Sequence, residues 1–228
     1  MVKRLGIRRL TEDDFLDFLT HRKIKFPISD ESTIRGSLSK TVTILLKVWA
    51  RPAAELSTLH RSAVELYSRL PSQKRVLVHW GLTMSAYPFW GAVANSSGRL
   101  LNLQGTASAN QVQRRLREQY GERETVARRT RYVLRSFVDW GVLKESSIKG
   151  TYIKGVELVV SQPEAIAWLI AAALYARPQK SAPFQELITS PSLFPFVFHT
   201  VSAAQLSPLA PNLDFVRHGL DEYLVMLK

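Results

Sequence analysis

The sequence predicts a mainly α-helical protein with one small β-hairpin set in its middle third. Three observations lead there. Apolar residues recur at three- and four-residue spacing along most of the 228 positions. Gly and Pro punctuate those runs where helices end. Only around residues 142–154 does the pattern shorten into two strand-length segments about a turn.

The elements follow in order. Thr11 with Asp14 three residues on resembles a helix N-cap, and Phe15, Leu16, Phe18 and Leu19 give that helix an apolar face ended by Pro27. Ser29–Asp30–Glu31 opens a second helix reaching Trp49, broken by Arg51–Pro52. Leu56, Leu59, Ala63, Leu66 and Leu70 form the stripe of a third, closed by Pro71. A fourth carries Val76, Leu77, Trp80 and Met84. It bends or stops at Tyr87–Pro88, continues through Phe89–Val93, and meets a turn at Asn95–Gly98. Ser108 and Gln111 form a capping box for a short helix that Tyr120–Gly121 ends. A longer helix spans Glu122–Trp140 and stops at Gly141. Val142–Lys144 and Thr151–Lys154 read as strands around Lys149–Gly150. Ser161 and Glu164 mark another capping box, and a hydrophobic helix runs to about Ala176. The remainder reads as Pro-broken helix: Phe184–Ile188, Leu193–Leu206 and Leu213–Met226. There is no internal sequence repeat. Three regions result, 1–98, 99–160 and 161–228, expected to join in one compact body because no long Gly/Ser linker separates them.

Charge narrows the partner. Lys and Arg total 31 against 19 Asp and Glu, a net +12. A folded chain keeping this much like charge repels itself, which points to an anionic partner. Residues 1–75 carry 15 basic and 8 acidic groups, 76–156 carry 12 and 5, and 157–228 carry 4 and 6. The excess therefore lies in the first two-thirds, and the C-terminal third reads as structural or protein-facing. With no Cys, disulfides and thiolate metal sites are excluded. Met1–Leu10 has no apolar signal core behind it, and the Ala165–Ala176 run is too short to span a bilayer. A cytoplasmic protein without cofactor or membrane association is expected.

Helix, tight turn, longer helix and basic-tipped hairpin succeed one another in SANQVQRRLREQYGERETVARRTRYVLRSFVDWGVLKESSIKGTYI. This stretch, about a fifth of the chain, resembles the winged helix-turn-helix superfamily of DNA-binding proteins. On a wheel of about 100° per residue, Val126, Thr130, Val133, Leu134 and Phe137 share one side of the longer helix. Glu124, Arg128, Arg131, Tyr132 and Arg135 share the other, with Arg129 at the flank. That division suits a recognition helix, since Arg can donate two hydrogen bonds to guanine, worth roughly 1–3 kcal/mol of discrimination. Thr125 is placed for a base edge or a phosphate. Arg114, Arg115 and Arg117 on the preceding helix, and Lys149 and Lys154 on the wing, are placed for phosphates of double-stranded DNA. Lys3, Arg4, Arg8 and Arg9 read as a basic arm for a phosphate backbone or minor groove. Arg22, Lys23 and Lys25 add a second basic cluster.

Other chemistries find little support. His21, His60, His79, His199 and His218 lack metal-ligand spacing, and Asp13, Asp14 and Asp17 are explained by a helix dipole. No phosphate-binding Gly loop or nucleophile elbow occurs. Trp80, Tyr87, Phe89 and Trp90 read first as core, with base stacking as the alternative. The helical lead-in VLVHWGLTMSAYPFW before the winged-helix-like segment is faintly similar to small accessory proteins of BREX-type bacterial phage-defence islands. That resemblance implies a DNA-binding accessory and no enzyme. A protein–protein assembly module of the same fold stays open beside it, because winged helices serve that purpose too.

Overall fold

The computed structural model describes residues 39–219 and 222–228. The chain divides between Ser57 and Thr58 into two compact units. In the first, residues 39–45 are α-helical and pass into a π-helical turn, Leu46–Ala50. The helix ends at Arg51, whose N–H donates to the Leu46 carbonyl at 2.6 Å, just where Pro52 withholds the next donor. The Thr11 helix and the Ser29–Glu31 helix start lie outside the described residues.

The second unit is mainly helical with small sheets. Helix α1 (Ser57–Arg69) starts at that division, and α2 (Val76–Ala86) and α3 (Pro88–Gln104) follow. Strand β1 (Thr106–Ser108) leads directly into α4 (Ala109–Tyr120), and α5 (Glu124–Asp139) follows across Gly121, which has φ 91°. Strands β2 (Leu143–Glu145) and β3 (Thr151–Lys154) form a hairpin, and β1 pairs on its other side in the order β1-β3-β2, all antiparallel. Next come β4 (Leu158–Val160), α6 (Pro163–Tyr175), β5 (Ser181–Pro183), α7 (Phe184–Ile188), β6 (Phe196–Phe198), α8 (Ala203–Leu206), β7 (Leu213–Arg217) and β8 (Tyr223–Leu227). β4 pairs in parallel with β6, and β5, β8 and β7 form a second antiparallel sheet in that order.

The core is aromatic and centres on α2. Trp80, fully buried, stacks on Phe137 of α5 at 4.9 Å between centroids. It meets Trp90, Phe194 and Phe196 edge-on at 4.5, 5.3 and 5.8 Å. Its indole N–H donates to the Ser192 carbonyl at 3.0 Å, which satisfies the polar end that burial would otherwise leave costly. Trp80 and Trp90 are thus core residues. Ten successive residues of α6, Ala165–Leu174, are buried, as an apolar helix without a polar face must be. Gly81 lets α2 approach α6, since a Cβ there would overlap the Trp168 ring. Among the described residues no helix is long and apolar enough to cross a membrane.

Three expectations are corrected. Asn95–Gly98 is not a turn but the middle of α3. Ser96, Ser97 and Gly98 are buried there because the Pro191–Leu193 turn presses against them, and a Cβ on Gly98 would collide with the Pro191 carbonyl. The small polar residues that resemble a turn serve close packing. Ser161 does not cap α6: the N-cap is Gln162 without a side-chain hydrogen bond, and Pro163 opens the helix. The C-terminal third is not helix throughout. Val197 lies in β6, and Leu213–Met226 is the β7–β8 hairpin turning at Gly219, φ 91°. Leu213, Phe215, Tyr223, Val225 and Leu227 alternate, so in runs this short a strand and a helical stripe fit equally well.

Candidate nucleic-acid interface

Local chemistry fixes the α4–α5 pair. At the start of α4 the Gln111 N–H donates to Ser108 Oγ at 3.2 Å, and the Ser108 N–H donates to Gln111 Oε1 at 3.3 Å. The Ala109 N–H donates to the Gly150 carbonyl at 2.8 Å, tying this helix start to the turn of the hairpin. The inner face of α5 buries Val126, Ala127, Thr130, Leu134 and Phe137, and Val133 is half-buried. Thr130 Oγ donates to the Val126 carbonyl at 2.8 Å, so even its one fully buried polar side chain is satisfied.

The opposite face of α5 exposes Thr125, Arg128, Arg129, Arg131, Tyr132 and Arg135. Arg114 is exposed and Arg115 and Arg117 are half-buried on α4, while Lys149 and Lys154 are exposed on the hairpin. The structure therefore brings the named residues of 114–154 onto two adjoining helices and the hairpin that follows them. Lys3, Arg4, Arg8 and Arg9 lie outside the described residues.

Several of these cations have carboxylate neighbours. Glu124 lies 4.0 Å from Arg128 and 3.3 Å from Arg131, and Arg135 meets Asp139 at 3.1 Å. Arg117 pairs with Glu122, Arg114 with Glu118, and Lys154 with Glu157 at 2.9 Å. All these side chains are more than a third exposed, so each pair contributes at most about 1 kcal/mol and dissolves readily in competition. Among the described residues no carboxylate lies within 4 Å of Arg99, Arg115, Arg123, Arg129, Lys144 or Lys149. The face remains cationic, with 11 basic and 5 acidic residues between 111 and 154.

In the hairpin turn, Gly150 adopts φ 74° and the Ile148 N–H donates to Ser146 Oγ at 3.1 Å, giving a compact tip with Ile148 exposed. Burial first, and then neighbouring Glu145, push the Tyr152 phenol above its ordinary range, with Arg135 acting in the opposite direction. Tyr152 therefore stays a neutral hydrogen-bonding group on β3, within electrostatic reach of α5.

Sequence reasoning missed Arg99, Arg123 and Lys144. Arg99 lines an open polar cleft of about 470 Å³ between α3 and α4, together with Asn95, Arg114, Arg115, Glu118 and Gln119. The misread turn at Asn95–Gly98 hid it; a helix continued through that segment would have placed Arg99 beside α4. Among the described residues no group of three His, Asp or Glu could hold a metal ion. Comparison with protein-family models, with curated proteins and with solved structures finds no match to this chain.

Proposed function

We propose that residues 88–154 form a winged helix-turn-helix that binds duplex DNA, in a non-enzymatic protein that is regulatory or accessory to a larger bacterial complex such as a phage-defence system. The observation that carries this reading is a topology joined to a surface. Helix, strand, helix, helix and hairpin follow in order, the first strand pairs with the third, and the outer side of the second helix pair is basic. In this reading α5 lies in the major groove with Arg128, Arg131 and Arg135 towards the bases and phosphates. Arg114, Arg115, Arg117, Arg129, Lys149 and Lys154 hold the flanking backbone. The resemblance to BREX accessory proteins supports the cellular setting only.

The test is a fluorescence-anisotropy titration of the full chain with random duplex and single-stranded DNA at about 50 and 200 mM salt. Arg128→Glu/Arg131→Glu/Arg135→Glu is expected to abolish duplex binding. Retained binding with an unchanged salt dependence would remove α5 from the interface.

A second reading has its own support. Tyr132 is 65% exposed on α5 and Ile148 is 68% exposed at the hairpin tip, an apolar pair that suits a protein partner. Failure to bind any DNA at about 50 mM salt, with retention of one stoichiometric protein partner on purification, favours an assembly module.

A further inference from the structure

The C-terminal half of the second unit repeats the element order of residues 88–154. Helix α6 precedes the short strand β5, which passes without a break into α7 as β1 passes into α4. Helix α8, with the 3-10 turn Ser207–Leu209 behind it, comes before the β7–β8 hairpin as α5 comes before β2–β3. The pairing is the same as well. First strand meets third and third meets second, antiparallel throughout, in β5-β8-β7 as in β1-β3-β2. Each hairpin has a positive-φ glycine in its turn, Gly150 and Gly219. The second copy differs by an insertion between its second and third helices. That insertion holds the Pro191–Leu193 turn packed on α3 and the strand β6 paired with β4.

We infer that the chain holds two copies of one architecture, and that only the first engages DNA. This rests on the reading of residues 88–154 given above. Two independent observations separate the copies. The first is length. The 16 residues of α5 make a helix of about 24 Å, whereas the four residues of α8 make about 6 Å, too little to lie along a groove. The second is charge. Residues 88–154 carry 12 basic and 5 acidic groups, and residues 163–228 carry 4 and 5. The exposed positions of α8 and its extension are Ala204, Gln205, Ser207, Pro208 and Leu209, with no cation. Three of the four basic residues of the second copy have neighbours within it: Arg177 meets Glu186 at 2.7 Å, Lys228 meets Asp214 at 3.4 Å, and Lys180 donates to the Tyr175 carbonyl at 2.8 Å. One chain therefore supplies one groove-reading unit, and a site with two half-sites takes two chains.

The test places the photocrosslinking residue p-benzoylphenylalanine at Tyr132 or at Ala204 in the full chain, both exposed positions on the third helix of their copies. Each protein is irradiated with a labelled random duplex at about 50 mM salt. Crosslinking from position 132 alone is expected. Crosslinking from both positions, or from 204 alone, overturns the confinement to the first copy. Crosslinking from neither, with unlabelled protein also failing to shift the duplex, overturns the DNA-binding reading itself and this inference with it. A second measurement does not depend on the unnatural residue. Arg217→Gln/Lys228→Gln is expected to leave the slope of log K against log salt unchanged, whereas Arg128→Gln/Arg131→Gln lowers its magnitude by about 1.8, the value for two phosphates. A reduced slope in the first pair overturns the inference.

Discussion

Glu124 occupies the first turn of α5 and holds two of the guanidinium groups assigned to the groove, at 4.0 Å for Arg128 and 3.3 Å for Arg131. Glu124→Gln tests whether those groups meet a polyanion. Each exposed pair within a helix is worth about 0.3–0.5 kcal/mol. A duplex that takes over both arginines must displace both pairs, a cost of about 0.6–1 kcal/mol that the variant no longer bears. At 1.4 kcal/mol per decade this is a three- to fivefold tighter Kd, roughly, and removal of a negative charge facing phosphates acts in the same direction. Stability moves the other way. The folded protein loses both pairs and an acidic group at a helix N-terminus, together about 1–2 kcal/mol. For a chain of this size that lowers Tm by about 2–8 °C. Anisotropy with a random duplex at low salt reads the first effect, and scanning fluorimetry without DNA reads the second. A variant that melts earlier yet binds no more tightly than the parent refutes the placement of Arg128 and Arg131 at the DNA.

Gly98→Ala drives a methyl group into the Pro191 carbonyl, a backbone atom that cannot yield as a side-chain tip can, so a loss of about 2 kcal/mol or more is expected by urea denaturation. Ser108→Ala removes the capping box of α4 and should cost about 1 kcal/mol, with Ser108→Gly partly restoring it. His79 packs edge-on to Tyr67 at 5.6 Å and near Trp140 at 6.4 Å, and burial holds its pKa below the ordinary 6.5. The unfolded chain therefore takes up that proton first. Its contribution to stability is complete above about pH 6.5 and declines as pH falls through that value towards the lowered folded pKa. Urea midpoints at pH 7 and pH 5 should converge in His79→Gln relative to the parent, and an unaltered difference would contradict this assignment.

The middle of the chain was legible because its signals were local and agreed with one another. The Ser108–Gln111 box, Gly121, the wheel of α5 and the Lys149–Gly150 turn each name one structure, and the observed elements fall within two residues of the expected ones. The wheel also placed Arg128, Arg131, Tyr132 and Arg135 on the exposed side. Long-range packing decided the remainder. Ser96, Ser97 and Gly98 are small because another backbone crosses them, a fact held by Pro191 about ninety positions away and invisible in a window of sequence. The C-terminal strands were ambiguous for a related reason. Three to five apolar residues fit either period, and pairing with the distant β5 settles β8 as a strand. The repeated architecture likewise left no trace in the sequence, because the two copies share strand pairing and helix order without sharing side chains.

The decisive quantity is the slope of log K against log salt for the unmodified chain on a random duplex. Nine basic side chains on α4, α5 and the hairpin are assigned to the interface. Engagement of three to nine phosphates gives a slope between about −3 and −8, with weaker binding at each salt increment. A flat salt dependence, or no complex at all at about 50 mM salt, would contradict a phosphate-gripping role for this surface.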